Sequence, residues 1–320
     1  MRKKVIGILL KKNGIDFWEL SSVIGHMVSC VRALKKMKKE GLVVFKKNKI
    51  ILTEKGKKEA EKINAVKIEM PLKGKIILKE NKSLLKKFKE VRKSFVGKVE
   101  YDQLQVKAES VIDKIELMDK KGDIKGKKII CIGDDDFVGI ALAIKGGAEE
   151  IAVLDIDKDI LNYEKEFFKK KKIKFKTILH SLTNPLSKEI KGKYDVFITE
   201  PPDTVSGNTL FFSRGVESLK EEGVGYLGIS QSTLEKEKIA KIQKNILDMN
   251  MVITDVFDRF SLYDNAKDEF EWVFGLPEEI SLPESSWFNS TLVRAENFKK
   301  PKPLIKGKYS KAILETKFYC

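Results

Sequence analysis

The stretch KKIICIGDDDFVGIALAIKGGAEEIAVLDID, residues 127–157, predicts an α/β fold. Short apolar runs typical of buried strands occur at 127–133 and 150–157, and a helical stretch lies between them. The same alternation of strand and helix patterns continues to about residue 295. Repeated units of this length predict a doubly wound parallel sheet, whose ligands bind outside the carboxyl ends of the strands.

The last two predicted strands distinguish this sheet from that of an ordinary dehydrogenase. MVITDVFDRF at 251–260 and WFNSTLVRAE at 287–296 follow one another without a clear helix between them, which indicates an antiparallel edge. Such an edge resembles that of class I methyltransferases and aminopropyltransferases. We therefore expect a Rossmann-like catalytic domain of this class over residues 126–298.

Residues 1–70 are typical of a winged helix-turn-helix domain: helix, turn, helix and then a hairpin. In such a domain Ser29, Arg32, Lys35 and Lys36 would face a DNA major groove. The same fold can instead mediate dimerisation or cover a neighbouring domain, and the residues leave both interpretations open.

Two further segments complete the predicted organisation. Residues 71–125 form a helical connector that leads into the first strand of the sheet. Residues 299–320 form a C-terminal tail with two prolines and little periodicity. This tail is either a mobile lid over the ligand pocket or simply a mobile end of the chain.

Composition narrows the classes of function. The 320 residues carry a formal net charge of +16, which indicates either an anionic partner or a solvated surface coated with lysine. The sequence lacks an apolar stretch of about 18 residues, so we expect a cytoplasmic protein without a membrane partner. Three scattered cysteines and two histidines make a disulfide framework or a zinc site unexpected.

Carboxyl groups follow three of the predicted strands at the end where ligands bind. They are Asp134, Asp135 and Asp136 after the first strand, Asp155 at the end of the second, and Glu200 and Asp203 after the fourth. Clustered carboxylates raise one another's pKa unless cations occupy the site. Their spacing would match the ammonium groups of a linear polyamine, and an Asp-rich Mg²⁺ site is the alternative.

The same strand ends predict a nucleoside site. Gly133 permits a tight turn after the first strand, and Asp155 lies where an acidic residue accepts the ribose hydroxyls of a nucleoside. Asp157, two positions further on, is a second candidate for this cofactor site. Gln103, next to Asp102 near an element boundary, is either a helix cap or a substrate ligand.

Several motifs together resemble one enzyme family. GDDDFVGIALA at 133–143, EPPDTVSGNTLFFSRGVESLK at 200–220, and the lead-in from YDQ at 101–103 to MDKKGDIKGK at 118–127 resemble the N4-bis(aminopropyl)spermidine synthases, the branched-chain polyamine synthases of thermophilic prokaryotes. The resemblance implies that aminopropyl groups pass twice from decarboxylated S-adenosylmethionine to the secondary amine of spermidine, with methylthioadenosine as co-product. It also implies a homodimer, a mobile C-terminal tail and a catalytic aspartate in the Gly-Asp-Asp-Asp motif. QVKAES at 105–110 departs from the family's Thr-rich pattern, which leaves the role of this stretch open.

This chemistry suggests a role for each carboxylate. The donor's sulfonium already activates the transferred carbon, so the enzyme mainly has to align it with an amine that is protonated at neutral pH. Asp136 or Asp135 would hold the attacked nitrogen and accept its proton. Asp134, Glu200 and Asp203 would bind the flanking ammonium groups, and no metal is expected.

The aspartate triplet also favours a donor that lacks a carboxylate. Two carboxylates about 4 Å apart repel by roughly 4 kcal/mol at an effective dielectric near 20, and S-adenosylmethionine carries a carboxylate that its decarboxylated form lacks. The alternatives are an N-methyltransferase acting on an amine or a nucleic acid, and a regulator that senses a ligand. The triplet opposes both a carboxylated donor and a phosphate backbone, so nucleic acid is not the expected partner.

Overall fold

A computed structural model describes residues 1–24, 27–65, 81–92, 98, 101, 103–170, 173–230, 233–263, 273–274, 280, 288–311 and 318–319. Asp102, the neighbour of Gln103 in the sequence prediction, lies outside the described residues. So do parts of the predicted connector and of the predicted C-terminal tail.

The N-terminal part contains helices, a hairpin and one more short strand. They are α1 (Arg2–Lys11), β1 (Ile15–Asp16), α2 (Phe17–Ile24), α3 (Met27–Lys39), β2 (Val43–Lys46), β3 (Lys49–Leu52) and α4 (Glu54–Lys62). The hairpin between β2 and β3 turns through Lys47 and Asn48, whose positive φ angles suit a tight two-residue turn. Thr53 then caps α4 by accepting the N–H of Gly56.

Two helices lead from this part into the sheet: α5 (Lys82–Val91) and α6 (Ala108–Lys120). The stretch before α6 pairs with the residue that follows Leu262, because Val106 forms a β-bridge with Tyr263. Ser110 strengthens this attachment by accepting the N–H of Leu262 at 3.0 Å. The stretch that departs from the family's Thr-rich pattern therefore fixes α6 next to a strand end.

The remaining elements alternate along the chain. They are β4 (Lys128–Ile132), α7 (Val138–Lys145), β5 (Glu150–Asp155), α8 (Lys158–Lys169), β6 (Phe175–Leu179), β7 (Tyr194–Thr199), α9 (Val205–Ser218), β8 (Leu219–Ile229), α10 (Lys236–Asp248), β9 (Met251–Leu262), β10 (Val273–Phe274), β11 (Asn289–Asn297) and β12 (Phe318–Tyr319). Strands β10 and β12 pair in parallel.

The main sheet has seven strands in the order β6-β5-β4-β7-β8-β11-β9. Its first five strands pair in parallel, whereas β11 runs antiparallel to both β8 and β9. The predicted antiparallel edge is thus confirmed, with the last strand inserted beside β8. The sheet is that of the Rossmann-like methyltransferase fold.

Helices cover both faces of this sheet. Along β4, Ile129 and Cys131 point into a core that includes α6, α7 and α8, whereas Ile130 and Ile132 point into the core under α9 and α10. Both faces of the strand are buried, as in other parallel sheets, which explains its continuous apolar sequence. Among the described residues no helix has the length and apolar character needed to cross a membrane.

The described first half of the C-terminal tail is packed against the sheet domain. The buried Arg214 guanidinium donates to the carbonyl oxygens of Ile305 at 2.9 Å and Gly307 at 2.7 Å. It also donates to the Leu182 carbonyl at 2.9 Å, and the Tyr309 N–H donates to the Thr183 carbonyl at 2.7 Å. Residues 299–311 therefore contact the loop after β6, and the prediction of a mobile lid at 299–320 stays a prediction.

Candidate active site

A cavity of about 210 Å³ opens at the carboxyl ends of β4, β5 and β7. Its lining includes the acids Asp135 and Glu200 and apolar side chains such as Leu154, Leu182 and Phe211. This is the position that doubly wound sheets use for ligands. The cavity therefore has apolar side chains that can contact a flat apolar group and carboxyl groups that can bind a cation.

Asp134 is directed away from this cavity and fixes the turn after β4. One carboxylate oxygen accepts the N–H of Val138 and the other that of Gly139, both at 2.7 Å, so Asp134 holds the first turn of α7. Burial raises its pKa to about 6, although those amides favour the charged form. Asp134 was predicted to bind an ammonium group, but both of its oxygens are engaged by backbone.

Glu164 on α8 lies beside Asp134 and is completely buried. Burial and the charge of Asp134 raise the pKa of Glu164 well above its ordinary value. The neutral carboxyl group can then donate to Asp134, which two charged carboxylates could not do. A side chain at Gly139 would clash with this pair, because a Cβ there would lie 3.0 Å from an oxygen of each.

Asp135 faces the cavity. Its backbone carbonyl accepts a hydrogen bond from Gln105 at 2.9 Å, which orients the turn. Burial, followed by the nearby charges of Asp136, Asp155 and Asp134, raises the pKa of Asp135 well above its ordinary value. Of the three predicted aspartates, Asp135 is the one placed to meet a ligand in this cavity.

Asp136 lies behind Asp135 and is buried. One of its oxygens accepts the N–H of Val106 at 2.6 Å. Burial raises the pKa of Asp136 to about 7, while the positive charge of Lys114 acts in the opposite direction. A carboxyl group with such a pKa exchanges protons near neutral pH, as acid-base catalysis requires.

Glu200 follows β7 and accepts hydrogen bonds from four side chains. The donors are Lys114 at 2.6 Å, Ser261 at 3.1 Å, Tyr263 at 3.0 Å and Ser290 at 3.2 Å. The Tyr263 and Ser290 bonds reach one carboxylate oxygen, and the other two bonds reach its partner. Glu200 is therefore rigidly held with its carboxylate at the cavity wall.

Asp203, three residues further on, lies farther from the cavity. Its carboxylate accepts the Thr233 hydroxyl at 3.0 Å, and Asp203 is not among the residues that line the cavity. Between these two acids, the Pro202 carbonyl accepts the amide of the buried Asn208 at 2.8 Å. This contact fixes the loop, and the predicted ammonium contact of Asp203 stays a prediction.

The predicted nucleoside ligands occupy different positions. Asp155 borders the cavity, and its two oxygens accept the N–H groups of Asp134 and Asp157, both at 2.8 Å. Burial raises its pKa, although these amides favour the charged form. Gly133 has a φ of +71°, which permits the tight turn that the sequence predicted.

Asp157 has a structural partner in place of the predicted cofactor. It caps α8 through the N–H of Asp159 at 2.9 Å and forms an ion pair with Lys98 at 2.8 Å. Burial acts to raise the pKa of Asp157, but these contacts and the Gln103 amide lower it. Gln103 donates to Asp157 at 3.1 Å and accepts the Lys98 N–H at 2.9 Å, so it borders the cavity with its amide already engaged.

The comparisons with known proteins agree with this geometry. The sequence profile of the branched-chain polyamine synthase A C-terminal domain matches residues 83–315. An N(4)-bis(aminopropyl)spermidine synthase from Methanocaldococcus jannaschii is 33% identical over 309 residues, which is 93% of this chain and 87% of that protein. The chain belongs to the branched-chain polyamine synthase family.

Two further relatives extend the match. The N(4)-bis(aminopropyl)spermidine synthase from Thermococcus kodakarensis is 31% identical over 297 residues, covering 88% of this chain and 83% of that protein. The crystal structure of the Thermus thermophilus branched-chain polyamine synthase, in complex with N4-aminopropylspermidine and 5'-methylthioadenosine, has the same fold with a TM-score of 0.82. That structure is 23% identical and covers 98% of this chain and 91% of the other.

Lys114, a buried lysine of this polyamine synthase, was not identified from the sequence. Lys114 is fully buried in α6, and its ammonium group contacts Glu200. Its position in the chain gave a signal, because Lys114 lies between Val111 and Met118 on the apolar side of a predicted helix. A lysine at such a position requires a buried acid as partner.

The N-terminal helices of this family member contact its sheet domain. Arg32, one of the residues predicted to face DNA, donates to Glu235 beside α10 at 3.1 Å. Ser29 borders a cavity that also touches Lys236 and Glu237 of α10. This side of α3 therefore contacts the sheet domain, and the role of the predicted winged helix stays a prediction.

Proposed function

We propose that this chain transfers aminopropyl groups from decarboxylated S-adenosylmethionine to the secondary amine of spermidine. The products are N4-bis(aminopropyl)spermidine and methylthioadenosine. One observation carries the proposal: Asp135 and Glu200 line a largely apolar cavity, and further carboxyl groups lie next to Asp135. A polyamine supplies the positive charges that such a site requires.

The apolar wall of the cavity suits the donor's nucleoside. Leu154, Leu182 and Phe211 can enclose a flat base, and Asp155 lies at the strand end where ribose hydroxyls bind. Asp135 projects from the turn after β4, close to where the amino acid part of the donor would extend. A donor carboxylate would be repelled there, whereas the aminopropyl ammonium group would be attracted.

The transfer needs alignment and one proton acceptor. The lone pair of the spermidine nitrogen forms a bond to the methylene carbon next to sulfur, and the carbon–sulfur pair of electrons returns to sulfur. Sulfur thereby becomes the neutral thioether of methylthioadenosine. Because the amine is protonated at neutral pH, the carboxylate that holds the nitrogen first accepts one of its two protons, which frees the lone pair; the alkylated nitrogen keeps the other proton and carries the positive charge that sulfur loses.

Asp135 is the carboxylate that we assign to this contact, with Asp136 behind it as the second titrating group. Asp135 borders the main cavity, whereas Asp136 is buried and bonded to the Val106 amide. The free enzyme holds protons on these acids because their pKa values are raised. An arriving ammonium group lowers those values, so the base becomes charged when its substrate is present.

Product analysis tests this function directly. The purified protein is incubated with spermidine and either S-adenosylmethionine or its decarboxylated form, and the products are read by mass spectrometry. We expect gains of one and two aminopropyl units with the decarboxylated donor. Methylated spermidine, or no aminopropylated product at any pH, would overturn the proposal.

Asp135→Asn separates the two tasks that we assign to this residue. The variant should lose turnover by about 100-fold or more, because a general base contributes roughly 10²–10⁴. It should also bind S-adenosylmethionine better relative to the decarboxylated donor. Asp159→Asn, an exposed site beyond the cavity, serves as the matched control. Unchanged donor preference in competition assays would contradict the assigned role in donor choice.

We also propose a homodimer, on the basis of the family relationship. Light scattering of the purified protein measures its mass. A mass near twice the 36.5 kDa of one chain is the expected result, and a monomer at micromolar concentration would overturn it.

A further inference from the structure

A lysine side chain is sealed into the acidic centre of the protein. Lys114 has no exposed surface, and its ammonium nitrogen lies 2.6 Å from Glu200. It borders a small cavity of about 10 Å³ together with Asp134 and Asp136, behind the carboxylates that face the main cavity. Burial of an ammonium ion costs several kcal/mol, so its partners must hold it strongly.

Charged and titratable groups from several elements surround this ammonium group or the acids that it contacts. They are Glu200 after β7, Asp134 and Asp136 after β4, Cys131 in β4, Tyr263 after β9 and Arg92 after α5. Three of these groups are carboxylic acids, and Tyr263 is a phenol that donates a hydrogen bond to Glu200. Arg92 is partly exposed and donates to the Val106 carbonyl, so Lys114 is the fully buried cation of this set.

The lysine remains charged in this environment. Burial alone would lower the pKa of Lys114, but the charges of Glu200 and Asp136 raise it above its ordinary value. Lys114 in turn opposes the effect of burial on Asp136. Lys114 therefore favours the charged form of Asp136, and Glu200 and Asp136 favour the charged form of Lys114.

We propose that Lys114 is a positioning residue for aminopropyl transfer, a fixed ammonium ion beside Glu200 and Asp136 that holds the Glu200 carboxylate in place before the polyamine arrives. It does not border the main cavity, so it does not compete with the substrate's own ammonium groups. The inference rests on the proposed function. It adds a reason why a site for polycations contains a cation of its own.

The pH profile of kcat/KM for spermidine separates this role from a merely structural one. Lys114→Gln keeps a hydrogen-bond donor to Glu200 and removes the charge, whereas Lys114→Arg keeps the charge. Lys120→Gln, at the exposed end of the same helix, is the matched control. The spermidine amines titrate identically in every assay, so differences between profiles belong to the enzyme.

We expect the acidic limb of the Lys114→Gln profile to move up by about 1–3 pH units, the usual effect of losing an opposite charge next to a carboxyl group. Activity on that limb falls about tenfold for each unit and recovers as the pH rises. The KM for the decarboxylated donor should stay unchanged. Lys114→Arg and Lys120→Gln should keep the limb at the wild-type pH.

Several results would overturn the inference. A Lys114→Gln profile that is lower than wild type by the same factor at every pH would indicate a structural role. If Lys114→Gln shows no cooperative thermal unfolding, that variant is not folded and the test rests on Lys114→Arg. A shifted acidic limb in the Lys114→Arg profile would contradict the role of the charge. If wild type and Lys120→Gln make no aminopropylated product, the proposed function itself fails.

Discussion

Gly228 on β8 allows the Glu200 carboxylate to occupy its position. A Cβ atom built at Gly228 would lie 1.6 Å from one Glu200 oxygen and 2.3 Å from its carboxyl carbon. Ordinary van der Waals contact begins at 3.4 Å, so Gly228→Ala must displace that oxygen by about 1.8 Å. The displaced oxygen is the one that accepts from Tyr263 and Ser290, at 3.0 and 3.2 Å.

The size of the effect follows from this displacement. A shift of that length breaks both hydrogen bonds, and bonds to a charged group contribute about 1.5–3 kcal/mol each. A misplacement of about 1 Å can also cost roughly 10²-fold in rate. We therefore expect Gly228→Ala to lower kcat/KM for spermidine by about 100-fold or more and to lower the unfolding free energy by about 3 kcal/mol.

The assay compares Gly228→Ala with Gly307→Ala, where an added Cβ meets no atom within 4 Å. Initial rates of methylthioadenosine release give kcat and KM, and thermal unfolding confirms that each variant folds. The loss should fall on spermidine turnover, and binding of methylthioadenosine should change little. A folded Gly228→Ala enzyme with wild-type kcat/KM would show that the Glu200 position does not matter, which refutes the reasoning.

Three other measurements test parts of the site. Spermidine binding near pH 7 should release protons, because burial raises the pKa of Asp136 to about 7 and an ammonium partner lowers that pKa again. Calorimetry in buffers of different ionisation enthalpy measures the number of protons released, and a value of zero would contradict the prediction. The raised pKa of Glu164 gives stability that is present at low pH and lost as the pH rises through the folded-state value. Glu164→Gln should therefore gain stability relative to wild type as the pH rises above the ordinary Glu pKa of 4.5 in denaturant titrations, and parallel curves would refute the neutral carboxyl group. Arg214→Met should lower stability by about 3–5 kcal/mol, because it removes the hydrogen bonds from a charged donor to the tail and to the Leu182 carbonyl and leaves Glu217 with Lys191 as its remaining cation. It should also raise the KM for the donor, and an unchanged KM would separate the tail from the nucleoside site.

The fold was predictable because its signals are local. Alternation of apolar runs with helical stretches fixes strands such as β4 and β5, and both were placed correctly from their residues alone. The antiparallel position of β11 followed from the missing helix before it. Its insertion between β8 and β9 depends on contacts between distant strands, which the sequence pattern does not record.

The candidate site was predictable only in part, because position at a strand end does not decide where a side chain points. Asp134 and Asp157 lie at the expected strand ends, yet both accept backbone N–H groups of the following helix. Asp157 directly precedes α8, and an aspartate at such a position is a known capping signal that could have indicated its role. Lys114 was missed because its partner Glu200 lies 86 residues away along the chain.

The arrangement of these acids explains how a chain with a net charge of +16 keeps an acidic pocket. Asp134 and Asp155 neutralise backbone dipoles, and Lys114 with three hydroxyl groups neutralises Glu200. The charges that act most strongly on Asp135 are those of Asp136, Asp155 and Asp134. The raised pKa of Asp135 keeps a proton on this carboxyl group in the free enzyme, so it becomes charged only when a cation binds beside it. Under the function that we propose, a polyamine with one nitrogen at Asp135 gains most at that nitrogen, so one amine of a linear chain of similar amines is attacked in preference to the others.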